Sequence, residues 1–147
     1  MTTINELHGT ESQEQRQSSR KTEADEQRQL LQWCRTDPRL QYLFHIPNES
    51  VGGQGWIIRN RQLGVKAGVP DLFYPVPLGG YHGLFIEMKT RTGRLAPAQK
   101  RWFEALQAFG YKCVVAYGWE EAKIALEEYL DGTDDTIRST GDRDPDR

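Results

Sequence analysis

Two carboxylates and an ammonium, those of Asp71, Glu87 and Lys89, stand at a spacing that suits catalysis. Asp71 follows Pro70, fifteen residues separate it from Glu87, and Glu87-Met88-Lys89 closes an apolar stretch, GLFIEMK. The alternation of a strand puts Glu87 and Lys89 on one face, with Leu84, Ile86 and Met88 on the other. Asp71 opens the preceding apolar segment, DLFYP, after a Gly-Val-Pro approach that restricts its backbone. Pairing the two segments across the turn PVPLGGYHG brings Asp71 opposite the Glu87–Lys89 end. Hard carboxylate oxygens held close together suit Mg2+ or Mn2+, ions that keep water ligands. Such an ion lowers the pKa of a bound water and stabilises charge developing on a phosphate. The Lys89 ammonium would orient that water or neutralise the pentavalent phosphate. A third carboxylate can come from the first helix, where Glu23 and Gln27 share a face at i, i+4, and the Gln99 amide can reach the same place.

These residues need a frame of elements, and the chain supplies one. Thr22 and Asp25 form a capping-box-like start to a helix whose apolar stripe is Leu30, Leu31, Trp33 and Cys34, stopped by Pro38. Tyr42–Ile46 reads as a short strand. A long glycine-rich connection follows, with a helical segment from Ile57 to Leu63. DLFYP and GLFIEMK are strands. A helix then opens at Pro97, carries Trp102, Leu106 and Phe109 at core spacing, and is capped by Gly110. YKCVVAYG is a β-branched strand, and Glu120–Leu130 a final helix with Ala122, Ala125, Leu126 and Tyr129 on one face. The order α-β-β-β-α-β-α predicts an α/β class fold, an α+β mixed sheet with helices packed on it. The folded unit runs over 22–130, between a polar, disordered tail at 1–21 and an acidic, disordered tail at 131–147.

Composition narrows the field. The 147 residues carry 19 Lys and Arg against 21 Asp and Glu, with 37% hydrophobic residues, a soluble globular balance. No apolar run approaches the roughly 20 residues that cross a bilayer, and no signal peptide is visible. Two cysteines, Cys34 and Cys113, cannot build a zinc cluster or a disulfide framework and read as reduced, buried residues. The net charge of −2 conceals an uneven distribution. Residues 59–101 hold eight Lys or Arg and only Asp71 and Glu87 as acids, a basic zone around two isolated carboxylates.

Taken one at a time, these features are ordinary. A Glu-x-Lys pair is commonly an exposed charge pair, and Pro-Asp a turn. Glu23 alone is a solvated helix start, and His45 a satisfied strand residue. His8, His45 and His82 are too scattered for a metal cluster, and GVKAG lacks the order of a phosphate loop. Trp102 and Trp119 read as core residues. The combination carries the weight.

Pro70-Asp71 followed by Glu87-Met88-Lys89 in this order of elements resembles the PD-(D/E)XK nuclease superfamily. The wider text from GVKAGVPD to YGWEEA, with the opening TEADEQ and the HIPNE segment, looks like a VRR-NUC domain over Glu23 to Leu130. It is most similar to the small stand-alone proteins of phages and prophages. The resemblance implies divalent-metal-dependent phosphodiester hydrolysis in the cytoplasm of a bacterial host. It makes Asp71, Glu87 and the Met88 main-chain carbonyl ligands of Mg2+ or Mn2+, and Lys89 the catalytic lysine. Glu23 matches the helix glutamate that completes the acidic rim, with Glu26 one turn away as the other candidate, and Gln99 matches a glutamine after the strand. Ala96 departs from the family, which often has Ser or another capping residue there. Stand-alone members resemble Holliday junction resolvases and act as homodimers. The expectation is therefore a structure-selective endonuclease of branched or junction DNA, without a membrane or a small-molecule cofactor. Its DNA contacts would come from Arg59, Arg61, Lys66, Arg91, Arg94, Lys100 and Arg101. The rival expectations are a nucleic-acid-binding module with an inactive nuclease fold, and a structural protein whose acids and lysine form only a salt-bridge network.

Overall fold

The computed structural model describes residues 21–48 and 53–132. His8, most of the N-terminal tail and nearly all of the acidic tail lie outside the described residues. Helix α1 spans Glu23–Cys34 and starts as its sequence predicts. Thr22 Oγ1 accepts the Asp25 N–H at 3.2 Å, and the Asp25 carboxylate accepts the Thr22 N–H at 3.0 Å. This reciprocal box satisfies two donors that a helix start otherwise leaves open. After a 3-10 turn at Pro38–Leu40 comes strand β1, Phe44–His45, shorter than the expected Tyr42–Ile46. Its partner β2 is only Leu72–Tyr74, bracketed by Pro70 and Pro75, so the ladder has just two rungs, Phe44↔Phe73 and His45↔Leu72. Between them lies helix α2, Gln54–Gln62, which begins three residues before the expected Ile57. Its N-cap is Gly53, which offers no side chain to signal the start.

Strand β3, Leu84–Lys89, pairs antiparallel with β2 in the register Leu72↔Ile86. Helix α3, Pro97–Ala108, crosses over to β4, Lys112–Tyr117, which runs parallel to β3. Pro97 occupies the first turn of α3, and Gly110 at φ +91° lets the chain leave its end; α3 buries Phe103 and Leu106, while the expected core residue Phe109, at the last turn, is exposed. Helix α4, Trp119–Asp131, closes the fold. The sheet order is β1-β2-β3-β4, a mixed α+β architecture with β3 flanked on both sides.

All six residues of β3 are buried. On one face Leu84, Ile86 and Met88 join Leu72, Tyr74 and Ala116 beneath Leu30 and Cys34 of α1 and Ala122, Leu126 and Tyr129 of α4. Removing side chains of this size from water contributes about 1.5–3 kcal/mol each. The Tyr129 hydroxyl donates to the Val76 carbonyl at 2.6 Å and accepts the Leu78 N–H at 3.2 Å, fastening the β2–β3 connection to α4. On the opposite face Phe85 stacks on Phe73 with ring centroids 4.2 Å apart, beside Glu87 and Lys89. Cys34 is buried and Cys113 partly so; both are free thiols, pushed up by burial to about 11 and about 12. Among the described residues no helix is long and apolar enough to cross a membrane.

Candidate active site

Strand alternation and the hairpin register together assemble the site. Asp71 immediately precedes β2, one step beyond the Leu72↔Ile86 rung, which sets it across from Glu87. Its Oδ2 accepts the Met88 N–H at 2.8 Å. Its own carbonyl accepts the Ile46 N–H at 2.8 Å and lies 2.9 Å from His45 Nδ1. Because a carbonyl only accepts, that contact assigns the His45 proton to Nδ1. Asp71 is thus clamped through its side chain to β3 and through its main chain to β1.

Glu87 is 2% exposed. Its Oε1 accepts hydrogen bonds from the Lys89 ammonium at 2.6 Å and from the Gln99 amide, while its buried Oε2 has no partner. The orientation of Gln99 follows from the start of α3: the Ala96 N–H donates to Gln99 Oε1 at 2.8 Å, so the amide nitrogen points at Glu87. Ala96 has no oxygen to return the bond, so only this half of a capping box exists. Lys89 Nζ lies 4.0 Å from Glu23 Oε1 at the start of α1. Glu26 is used elsewhere, its Oε2 accepting the Trp119 N–H at 2.9 Å at the start of α4. Both glutamates line the cleft, and Glu23 is the one beside Lys89.

Burial sets the electrostatics. It raises the Glu87 pKa to about 7, against the lowering effect of the Lys89 hydrogen bond and with a further upward push from Asp71. Burial also raises Asp71, against the Met88 N–H and the Lys89 charge. For Lys89, burial disfavours the ammonium, but its hydrogen bond to Glu87 and the charges of Glu87, Glu23 and Asp71 outweigh it, and its pKa rises. The cluster holds more negative charge than one ammonium balances.

The donor set fits a hard divalent cation. Asp71 and Glu87 offer carboxylate oxygens at neighbouring positions, and the orphaned Glu87 Oε2 is a buried acceptor without a donor, an arrangement that natural interiors avoid. Among the described residues, no three His, Cys, Asp or Glu side chains form a complete ligand group. An ion here would draw on these two carboxylates, the Met88 carbonyl and water, which is the usual coordination style of Mg2+.

An open cleft of about 1430 Å³ reaches this cluster, lined among others by Glu23, His45, Asp71, Lys89, Arg91 and Tyr117. The seven expected DNA-contact residues are all exposed, but only Arg91 lines the cleft. Arg59 and Arg61 lie on α2, Lys66 follows it, and Arg94, Lys100 and Arg101 surround the start of α3. Lys21 and Arg28 are two further cations lining the cleft, unexpected because both fall outside the basic stretch of the chain. His45, expected as a structural strand residue, does make such a contact, but the contact is to Asp71, and the ring lines the cleft.

The VRR-NUC domain family model matches residues 9–120, starting before the Glu23 limit expected from the motifs and stopping within α4. A solved structure described as a VRR_NUC domain protein is 31% identical to this chain, with a TM-score of 0.67 over 76% of this chain and 90% of the other. No curated protein matches. The chain belongs to the VRR-NUC family and is a nuclease-type domain.

Proposed function

We propose that this chain is a divalent-metal-dependent DNA endonuclease selective for branched structures, and that it works as a homodimer. The observation that carries the reading is the buried Glu87 carboxylate, with one oxygen held by Lys89 and Gln99 and the other unpartnered across from Asp71. A bound Mg2+ or Mn2+ would supply positive charge that activates water and screens the attacked phosphate. Asp71, Glu87 and the Met88 carbonyl would hold it, with Glu23 completing the acidic rim. Lys89 keeps its proton through its carboxylate neighbours and presents a fixed positive charge where negative charge develops on phosphorus. Water attacks in line and the bond to the 3′ oxygen breaks. Gln99 holds Glu87 in place and is a positioning residue.

Backbone contacts from Arg59, Arg61, Lys66, Arg91, Arg94, Lys100 and Arg101 give affinity and salt dependence but no sequence preference. A single domain offers little surface to grip two duplex arms, and a two-fold dimer doubles the basic area. A dimer mass in sedimentation at micromolar concentration is expected, and a monomer with and without DNA would remove that part of the proposal.

The test is cleavage in Mn2+ of labelled four-way junction, fork and linear duplex, with wild type and Lys89→Ala side by side. Junction cutting that falls at least a hundredfold in Lys89→Ala is expected. Equal cutting of all three DNAs would keep the nuclease and discard the selectivity. Binding without cutting by the wild type would establish a binding module with an inactive fold.

A further inference from the structure

Helix α2 is the part of the molecule that packing does not explain. It has no buried residue, and Trp56, Ile58 and Leu63 are 44%, 55% and 71% exposed. A nine-residue helix is too short to persist on its own propensity, and exposed apolar side chains add little to folding. Yet the excursion is fastened. Asn48 Nδ2 donates to the Val69 carbonyl at 3.0 Å, and Trp102 Nε1 to the Ala67 carbonyl at 3.1 Å. Gly68 lies so close to α3 that a Cβ there would sit 2.6 Å from the Ala98 backbone. The segment leaves the sheet just after His45 and returns at Pro70, so both ends are tied to residues of the candidate site.

The chemistry of the projection points to one partner. Trp56, Arg59 and Leu63, three and four residues apart, share a stripe. Arg61 and Lys66 add positive charge, and residues 53–69 contain no Asp or Glu. Packing this surface against a second copy of itself would oppose like charges, whereas an anionic partner is complementary. A duplex backbone would engage only the cations. The exposed indole suits a base that has left its stack, since every base has an apolar face for an aromatic ring.

We propose that α2 reads branch points: Trp56, flanked by Arg59 and Leu63, stacks on an unpaired base at a DNA junction while Arg59, Arg61 and Lys66 engage the adjoining phosphates. This deepens the nuclease reading, and rests on it only in taking DNA as the ligand. The test measures binding by the full chain in EDTA, using a four-way junction with 2-aminopurine at the branch and a linear duplex of the same arms. Trp56→Ala is expected to lower the ratio of junction to duplex affinity about tenfold or more, and to abolish the 2-aminopurine quenching that wild type produces. Trp56→Phe is expected to retain most of both. An unchanged ratio and unchanged quenching in Trp56→Ala would overturn the proposal. So would a loss of dimer mass in Trp56→Ala without DNA, which would assign the stripe to a second copy. Because binding is read without a divalent ion, this result stands apart from whether the protein cuts.

Discussion

The two faces of β3 are both buried and built on opposite principles. Leu84, Ile86 and Met88 face α1 and α4 within an apolar cluster, edged by Trp119, whose buried Nε1 has no hydrogen-bond partner. Phe85, Glu87 and Lys89 point the other way, and two of these three are ionisable groups held under the surface. A buried ion pair is often no better for stability than apolar residues of the same volume. Here the pair is also unbalanced, since Asp71 and Glu23 add negative charge to it and Glu87 Oε2 has no donor. The first face supplies the stability that lets the second keep a costly arrangement. Burial alone does not separate core from site; the excess of carboxylate charge around one ammonium does.

Truncation on the apolar face should have the largest effect on stability. Ile86→Ala removes a fully buried side chain from the middle of the cluster and should cost about 3 kcal/mol in chemical denaturation. A loss below about 1 kcal/mol would mean that this face does not carry the fold. Glu87→Gln should have an effect of the opposite sign. The Glu87 pKa is raised in the folded protein from 4.5 to about 7, so the folded state holds this proton more tightly than the unfolded one. Stability tied to that proton is present below pH 4.5 and is lost as pH rises towards 7. In EDTA at pH 8 Glu87→Gln should therefore be more stable by about 1–2 kcal/mol, less than the full shift implies because the substitution also weakens the Lys89 bond. Its stability should change less than that of wild type between pH 4.5 and 7. Equal or lower stability at pH 8 would mean that the polar face carries no electrostatic cost.

Ala96→Ser gives the smallest effect. Ala96 has the extended backbone of an N-cap, with φ −70° and ψ 159°, but lacks the side-chain acceptor. Serine should complete the capping box and stabilise the protein by about 0.5–1 kcal/mol in thermal or chemical unfolding. No gain would show that Gln99 is already held fully by its bonds to Ala96 and Glu87.

Local signals account for what was legible in the sequence. The Thr22–Asp25 box, Pro97 in the first turn of α3 and Gly110 after it each act within a few residues, and each marks an observed boundary. The alternation in Leu84–Lys89 and the turn before it were enough to place Asp71 across from Glu87. What depended on tertiary contact was not legible. The start of α4 at Trp119 relies on Glu26, ninety-three residues away, and Glu23 comes beside Lys89 only where α1 meets β3. The bond from His45 to the Asp71 carbonyl spans twenty-six residues. Lys21 and Arg28 join the cleft only because α1 lays its first turns across the strand ends. The start of α2 at a glycine cap left no side-chain signal to read.

Calorimetric titration with Mn2+ reads whether the polar face of β3 takes a divalent cation, as proposed. Wild type should bind Mn2+ with an affinity that falls by at least tenfold in both Glu87→Gln and Asp71→Asn, while the folded state of each variant is retained. Binding of equal affinity in wild type and both variants, or no binding by wild type, would contradict the claim and leave Asp71, Glu87 and Lys89 as a structural charge network.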